Sequence, residues 1–261
     1  MNILISGGHS GMGLELTKKL LSEGHQIGLI VRSDKRKKDA IEALASLGKV
    51  DFFIADLSKR DQILRVAEEI SNRWPHIDVI FNNAGVLLDK LNFSDYGNEL
   101  QLEINAISPY LLTTALLPLL GKAETPLVVN TATAGLNSKK SINIEAFKRP
   151  PKFTKLTGSY MDSKFALVLL MNYLNKTTEG IRFVSLNPGA IKTKMTAGDG
   201  MPFWLKPIRN LLFKSPGQGA ENIYNAAFGK NTPGSGIYLS NGKPKEIKVS
   251  LTQDQVEELV Q

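Results

Sequence analysis

Residues 6–13, SGGHSGMG, decide the fold of this chain. A short apolar run from Asn2 to Ser6 precedes the stretch, and leucines recur at helical spacing over residues 14–21 after it. The segment therefore predicts a strand, a tight glycine-rich loop and a helix in direct succession. This order is the structural context in which a glycine-rich loop binds a dinucleotide.

Three glycines of this loop have separate predicted tasks. Gly7 permits a tight turn, Gly11 lets the backbone approach a pyrophosphate, and Gly13 allows the helix to pack closely on the sheet. The amino terminus of the helix then faces the anion. A glycine turn with a purely structural purpose is the alternative, which the regular pattern of the rest of the chain disfavours. The expected cofactor contacts of the loop are Gly7, His9, Ser10, Gly11, Met12 and Gly13.

Strands and helices alternate along the rest of the chain. Short runs rich in Ile, Leu, Val and Phe predict further strands, and the segments between them are long enough for crossover helices. These strands are expected at Gln26 to Arg32, Val50 to Ala55, Val79 to Phe81, Leu127 to Thr131, Ile181 to Leu186 and Ile237 to Leu239. Most of the runs are apolar on both faces, as in buried parallel strands. We therefore expect an α/β fold, a single doubly wound Rossmann domain over residues 1–261 with a mainly parallel sheet of about seven strands flanked by helices.

Two segments break the alternation. Residues 136–158 combine prolines with mixed charge and no clear period, which predicts an insertion over the site. Residues 192–216 combine glycines and prolines with large apolar side chains, which is typical of a mobile lid; a pair of core-packing helices fits the pattern equally well. Those side chains are Met195, Met201, Phe203, Trp204, Leu205, Leu211, Leu212 and Phe213. Thr252 and Gln255 predict a capping box that starts a short terminal helix.

Composition excludes several classes of site. The chain has no cysteine, which excludes disulfides, thiolate metal sites and cysteine nucleophiles, and its three scattered histidines offer no spacing for a metal. The formal net charge of +7 is spread over several segments without an aromatic-interleaved motif, so nucleic acid is not an expected partner. No apolar run reaches the roughly 18 residues of a membrane helix, and the first strand begins too early for a signal peptide. We therefore expect a cytoplasmic protein without a membrane span.

The end of the second predicted strand decides between NAD and NADP. An acidic residue there would accept hydrogen bonds from the ribose 2′-hydroxyl and repel a 2′-phosphate. Here the strand ends in Arg32 and Ser33, and residues 35–38 are all basic. A guanidinium and a hydroxyl both suit a phosphate, so NADP(H) is the expected cofactor in preference to NAD(H), although Asp34 opposes this slightly. A basic helix start that is merely solvated is the alternative.

Tyr160 and Lys164 form a candidate acid–base pair. They stand four residues apart, so a helix places both side chains on one face. The ammonium would favour the phenolate and move the tyrosine pKa from about 10 toward neutrality. Tyr160 is then a candidate general acid or base. A solvated helix face is the alternative for an isolated pair of this kind.

Taken together and in order, these motifs resemble those of the short-chain dehydrogenase/reductase family over nearly the full length of the chain. The family's glycine motif TGxxxGxG appears at residues 6–13, with Ser6 in place of threonine. Further family motifs follow in order: the acidic pair Asp56-Leu57, the NNAG motif at residues 82–85, the active-site asparagine at Asn105, and the nicotinamide-side motif at residues 187–189 with Thr193.

The family's catalytic serine has no direct counterpart. Residues 128–135, VVNTATAG, resemble the family's VVNTAS-x-AG version with one residue missing before the glycine. Counting back from Gly135 places Ala132 at the serine position, and counting forward from Asn130 places Thr133 there. Strand register fixes the face of a side chain, while the following loop absorbs a deletion easily, so we favour Thr133. An ordinary strand threonine without a catalytic hydroxyl is the alternative.

The resemblance implies an NADP(H)-dependent oxidoreductase that transfers a hydride to or from a carbonyl or alcohol of a small, apolar substrate. It implies that Tyr160 exchanges the proton, that Thr133 hydrogen-bonds the same substrate oxygen, and that Lys164 lowers the phenol pKa and binds the nicotinamide ribose. Asn105 would position a water beside the lysine. A catalytically quiet NADP-binding redox sensor or regulatory protein is the alternative function.

The resemblance also implies further binding residues and a branch of the family. Cofactor contacts beyond the glycine loop are expected at Arg32, Ser33, Asp56, Leu57, Asn82, Ala84, Gly85, Tyr160, Lys164, Pro188, Gly189, Ile191 and Thr193. The insertion and the ending at residues 236–240 resemble the retinol dehydrogenase and protochlorophyllide reductase branch, whose substrates are bulky and apolar. A homodimer contact of the family would use Phe165, Leu169 and Met171, unless these residues face the core instead.

Overall fold

An eight-stranded sheet lies at the centre of the computed structural model, which describes residues 1–202, 204, 209, 212–230 and 234–261. The strand order is 3-2-1-4-5-6-7-8. The strands are β1 (Asn2–Ser6), β2 (Gln26–Val31), β3 (Val50–Ile54), β4 (Val79–Asn82), β5 (Leu127–Thr131), β6 (Arg182–Leu186), β7 (Ile237–Ser240) and β8 (Lys243–Lys245). The first seven strands pair in parallel and β8 pairs antiparallel to β7. The predicted α/β Rossmann fold is thereby confirmed.

Helices cover both faces of this sheet. They are α1 (Gly11–Ser22), α2 (Asp34–Leu44), α3 (Arg60–Arg73), α4 (Leu100–Leu102), α5 (Ser108–Leu120), α6 (Ile144–Lys148), α7 (Ser159–Thr177), α8 (Lys194–Ala197), α9 (Pro216–Phe228) and α10 (Gln253–Val260). A π-helical turn (Glu103–Ile107) joins α4 to α5, and a 3₁₀ turn (Leu136–Ser138) follows β5. Buried apolar residues of α3, α5 and α7 form one core, and those of α1, α2 and α9 form the other.

The strand order reverses between β1 and β4, and this reversal positions the site. β1 pairs with β2 on one side and with β4 on the other, so the chain leaves their carboxyl ends in opposite directions. A crevice opens at such a switch point, and ligands of doubly wound sheets bind there. The glycine-rich loop follows β1, which places it at the edge of the sheet where the crevice lies.

The eighth strand was not predicted from the sequence. Lys243–Lys245 pairs antiparallel with β7, and all three of its residues are exposed. Lysine and proline are common on edge strands because they discourage further pairing. A three-residue exposed strand carries no alternation of apolar and polar residues, so no hydrophobic period announces it.

The insertion at residues 136–158 lies only in part over the site. Its helix α6 packs on α7: Ile144 and Phe147 belong to the same core cluster as the buried residues of α7. The Phe147 ring meets Phe165 edge to face, with centroids 6.3 Å apart. The terminal helix α10 packs in the same cluster, and the predicted capping box between Thr252 and Gln255 is confirmed.

This packing excludes three residues from the predicted dimer contact. Phe165, Leu169 and Met171 are each 0% exposed, so they do not reach a second chain. They face the core, which is the alternative given above, and residues of α6 and α10 belong to the same cluster. A homodimer through other residues stays a prediction.

Among the described residues, one continuous helical segment has the length and composition of a membrane helix. Leu100–Leu120 spans 21 residues; an 18-residue window within it has a mean hydropathy of 1.2, and 61% of that window is buried inside the protein. The segment was not predicted because Gln101, Glu103 and Asn105 interrupt its apolar run. A core helix passes the same test, so the observation is weak evidence for a membrane span.

Candidate active site

The glycine loop has the backbone conformation that its sequence predicts. Gly7 and Gly11 adopt φ values of +70° and +55°, which side chains other than glycine rarely accept. A Cβ atom on Gly13 would lie 2.3 Å from the Gly7 carbonyl oxygen and 2.5 Å from Nδ2 of Asn83. The helix α1 therefore starts close against the end of β1 only because residue 13 has no side chain.

Asn83 joins the glycine loop to the end of β4. Its backbone N–H and that of Ala84 donate to Oγ of Ser6 at 3.2 and 3.1 Å, and its side-chain Nδ2 donates to the carbonyl oxygens of Ser6 and Gly7, both at 3.3 Å. Asn83 lines the cleft although we did not predict it as a contact. The NNAG motif already indicates this contact. Adjacent residues at the end of a strand point to opposite sides, so only one of Asn82 and Asn83 can face the cleft.

Asn82, which we did predict as a cofactor contact, turns the other way. Its Nδ2 donates to Oδ1 of Asn130 at 2.9 Å and to Oγ1 of Thr113 at 3.1 Å. The side chain is 1% exposed and lies between the sheet and α5. It ties β4 to β5 beneath the crevice and does not line it.

Two adjoining cavities occupy the crevice. The smaller, of about 200 Å³, is lined by most of the predicted loop contacts: Gly7, His9, Ser10, Gly11, Met12, Gly13, Ala84, Gly85 and Thr193. The larger, of about 380 Å³, is lined by Thr133, Tyr160, Lys164, Pro188, Gly189 and Ile191. Met12, Asn83, Gly85, Thr193 and Met195 line both cavities. The folding of distant motifs thus forms one continuous cleft.

Lys164 lies at the floor of the larger cavity. Its Nζ donates to the carbonyl oxygen of Thr131 at 2.8 Å, and the residue is only 2% exposed. Burial lowers the pKa of Lys164 to about 8. A Cβ atom on Gly85 would lie 3.2 Å from this Nζ and 3.1 Å from Oδ1 of Asn105, so the glycine lets both side chains approach the same backbone.

Tyr160 does not have the lowered pKa that its spacing to Lys164 predicted. The half-buried phenol lines the larger cavity, and its burial raises the pKa of Tyr160 to about 12. Burial disfavours a charged form of either residue, and the lysine itself is shifted toward neutrality. In the protein alone, desolvation therefore outweighs any help that the ammonium gives to the phenolate.

Asn105 is positioned by the π-helical turn. Its Oδ1 accepts from the Val86 N–H at 2.8 Å, and its Nδ2 donates to the Val86 carbonyl oxygen and to Oγ of Ser163, both at 3.0 Å. Ser163 in turn donates to the Tyr160 carbonyl oxygen at 2.8 Å. Asn105 thus connects the segment after β4 with α7, the helix of the candidate pair Tyr160 and Lys164. An inserted π turn often marks a functional position, and no simple sequence period reveals it.

The structure favours Thr133 over Ala132 as the residue facing the site. Ala132 is 3% exposed, packs in the core, and donates its backbone N–H to the Leu186 carbonyl oxygen at 2.7 Å. Thr133 follows β5 in the loop, is half-buried and lines the cavity, while its carbonyl oxygen accepts from the Tyr238 hydroxyl at 2.5 Å. Thr133 is thus not a strand residue, because β5 ends at Thr131, and its catalytic hydroxyl stays a prediction.

Four of the predicted contacts lie beside the cleft without lining it: Arg32, Ser33, Asp56 and Leu57. Asp56 accepts at Oδ1 from the backbone and hydroxyl of Ser58, at 2.9 and 2.8 Å, and Leu57 packs against the core beside α5. Arg32 is exposed, and its positive charge acts on His9 of the glycine loop. The pKa of His9 is lowered, mainly by burial and next by the positive charge of Arg36. Arg32 and Lys194 lower this pKa more weakly, and Asp39 raises it.

The outer wall of the larger cavity is apolar. Met195, Met201 and Phe213 of the predicted lid segment line it, and Leu87 and Leu156 join them. Trp204 and Leu212 are 61% and 63% exposed. A lid stays a prediction. Phe203, Leu205 and Leu211 lie outside the described residues.

This chain is similar to known proteins. A family model described as short chain dehydrogenase matches residues 1–147. A short-chain dehydrogenase/reductase of Armillaria gallica is 32% identical over 206 residues, which cover 74% of this chain and 66% of that protein. The chain thus spans just under two thirds of the length of this fungal relative. Retinol dehydrogenase 14 of Homo sapiens is 26% identical over 268 residues, covering 94% of this chain and 79% of that protein.

Solved structures share the fold. A short-chain dehydrogenase from Shigella flexneri, complexed with NADP, superposes with a TM-score of 0.70 at 23% identity and covers 92% of this chain and 95% of that one. The family match extends over more than half of the chain and includes the glycine loop, the NNAG motif and Asn105. The chain therefore belongs to the short-chain dehydrogenase/reductase family.

Proposed function

We propose that this oxidoreductase uses NADP(H) to interconvert a carbonyl and an alcohol on a small, mainly apolar substrate. The observation that carries the proposal is the larger cavity, where Thr133, Tyr160 and Lys164 meet below an apolar outer wall. The three residues come from the loop after β5 and from α7, so only the folded chain brings them together. The similarity to retinol dehydrogenase 14 supports an apolar substrate.

The residues of the smaller cavity fit a dinucleotide. Gly7, Gly11 and Gly13 leave a cradle that side chains would fill, at the start of α1. Nδ1 of His9 is buried without a hydrogen-bond partner in the described part of the chain, and Arg32, Arg36 and Lys194 lie near enough to perturb it. These cationic side chains beside the loop suit a phosphate, which supports NADP(H) over NAD(H). The NADP complex of the Shigella flexneri relative is in keeping with this preference.

The chain's own residues would control the proton and the substrate oxygen. A bound nicotinamide supplies or accepts the hydride. Tyr160 holds its proton over the ordinary pH range, since its pKa is about 12, and donates it to the developing alkoxide. Thr133 donates a hydrogen bond to the same oxygen, and Lys164 supplies a positive charge beside the pair when it is protonated. Asn105 holds the Val86 backbone and, through Ser163, the start of α7.

A substrate panel tests the proposed reaction. NADPH oxidation is followed with aldehydes, ketones and quinones, and NADPH binding is followed separately by fluorescence. Turnover of aldehydes or ketones with NADPH is the expected result. NADPH binding without turnover of any panel member would favour the quiet redox sensor, and the absence of binding would contradict both proposals.

Replacement of Arg32 by alanine tests the cofactor preference. We expect the Kd for NADPH to rise about 10- to 100-fold, the loss typical of one charge-assisted hydrogen bond, while the Kd for NADH stays constant. The measurement is fluorescence titration with both cofactors. Arg65→Ala removes an exposed arginine of α3 that does not line the cleft; it is the matched control and should change neither constant. Equal losses for NADH and NADPH would contradict the assignment.

Replacement of Thr133 separates the hydroxyl from the shape of the residue. Thr133→Val keeps the volume and removes the donor, so kcat should fall about a hundredfold. Thr133→Ser restores the donor and should retain activity near that of the wild type. Steady-state kinetics with the best substrate of the panel decides the point. Retained activity in the valine variant would show that the Thr133 hydroxyl is dispensable.

A further inference from the structure

Leu87 belongs to the apolar wall of the larger cavity, and both of its chain neighbours are anchored from the same helical segment. Val86 exchanges two hydrogen bonds with Asn105, at 2.8 and 3.0 Å. The Leu88 N–H donates to Oε1 of Gln101 at 3.0 Å. Two amide side chains four residues apart thus hold residues 86–88 against the start of the π-helical turn, which fixes Leu87 between them.

Gln101 is itself held in place. Its Nε2 donates to Oε1 of Glu99 at 3.2 Å, and Oε2 of Glu99 accepts from the Leu102 N–H at 2.9 Å. Glu99 and Gln101 are 0% and 1% exposed, so solvent does not compete for these bonds. Because Glu99 holds Nε2 of Gln101, the orientation of the amide is fixed. Its Oε1 then faces residues 86–88 and accepts from the Leu88 N–H.

Gly200 lies directly against the backbone and side chain of Leu87. A Cβ atom on Gly200 would lie 2.3 Å from the Leu87 carbonyl oxygen and 2.8 Å from its Cγ. The neighbouring Asp199 carbonyl oxygen accepts from Nζ of Lys155 at 2.7 Å, next to Leu156, which also lines the cavity. Leu156 keeps a φ of +57°, an uncommon conformation for a branched side chain. The segment around Gly200 therefore completes the wall only if residue 200 has no side chain.

We propose that Leu87 is a specificity-determining residue of this site, and that Gln101 and Gly200 are positioning residues that hold it in the cavity wall. The inference rests on the proposed function for the identity of the site, and it makes the substrate class more specific. The non-reacting part of the substrate is then a hydrocarbon group that packs on Leu87. Each methylene group that reaches this wall should then increase affinity about fourfold, as burial from water predicts.

A homologous series of unreactive ligands tests the wall without requiring turnover. Straight-chain primary amides from propanamide to decanamide are titrated by calorimetry into the whole 261-residue chain saturated with NADP⁺. In the wild type we expect the Kd to fall about fourfold per methylene until the wall is covered. In Gly200→Ala we expect the dependence on chain length to fall to less than twofold per methylene, because the Leu87 backbone must move.

Gly198→Ala is the matched control for this substitution. A Cβ atom on Gly198 would have its nearest neighbour at 3.4 Å, which is ordinary contact, and Gly198 does not line the cavity. In Gly198→Ala the Kd of the amides should depend on chain length as it does in the wild type. An equal dependence in Gly200→Ala and Gly198→Ala would overturn the inference, as would the absence of any dependence in the wild type.

A second variant tests the inner anchor. Gln101→Met has a similar volume and lacks the acceptor, so the Leu88 amide should exchange with deuterium at least tenfold faster and the chain-length dependence should again decrease. Unchanged exchange at Leu88 would overturn the role of Gln101 even if stability decreased. Chain-length-dependent amide binding in a wild type that reduces no carbonyl would uphold the wall and reject the proposed reaction.

Discussion

Replacing Tyr160 by phenylalanine should lower kcat by about 10²- to 10⁴-fold and leave the Kd for NADPH nearly unchanged, because the variant loses one general acid and little contact area. The pKa of about 12 in the protein alone means that the phenol carries its proton throughout the assay range. It is therefore ready to act in the reductive direction. Steady-state kinetics at pH 7 and fluorescence titration with NADPH provide the two measurements.

Tyr173→Phe is the control for this substitution. Tyr173 lies on the same helix α7, is half-buried and packs beside the core without lining the cavity. Its loss of a hydroxyl should leave kcat unchanged. Full activity of Tyr160→Phe would reject Tyr160 as the acid, and a large increase in the Kd for NADPH would assign the residue to binding instead.

Replacing Lys164 by methionine should decrease kcat/KM on the order of 10²-fold and also change how stability depends on pH. Burial lowers the pKa of Lys164 from the ordinary 10.5 to about 8. Between these two values the unfolded chain binds a proton that the folded protein does not, so the contribution of this residue to stability rises with pH. The methionine variant has no such titration.

The expected difference between the two proteins is large enough to measure. From about pH 8 to pH 10.5, the free energy of unfolding of the wild type should increase by about 3 kcal/mol relative to Lys164→Met. Urea unfolding of both cofactor-free proteins at several pH values checks this. Lys176→Met, at an exposed lysine of α7, should follow the wild type. A constant difference across the window would show that Lys164 is not desolvated.

These two residues show where reasoning from spacing fails. An i, i+4 pair on a helix predicted that the ammonium would lower the phenol pKa, and the helix α7 does carry both residues. However, α7 is buried along most of its length, so desolvation acts on both groups. The spacing in the sequence determines which side chains share a helix face. How deeply those side chains are buried depends on the segments that pack around the helix.

The site residues divide in the same way. The glycine loop was predictable because Gly7, Gly11 and Gly13 have local backbone requirements that a short motif records. Leu87 and Gln101 were not, because their roles come from contacts with segments distant in sequence. The burial of Phe165 is similar, since its ring packs on Phe147 of the inserted helix α6.

The sequence alone determined the Rossmann fold, the family and the position of the cofactor loop, because each depends on local periodicity or on a short backbone motif. The tertiary structure decided that Thr133 and not Ala132 lines the larger cavity, how deeply Tyr160 and Lys164 are buried and which residues complete the apolar wall. Each of these depends on the close packing of segments that are far apart in the chain, and local patterns carry no information about such packing.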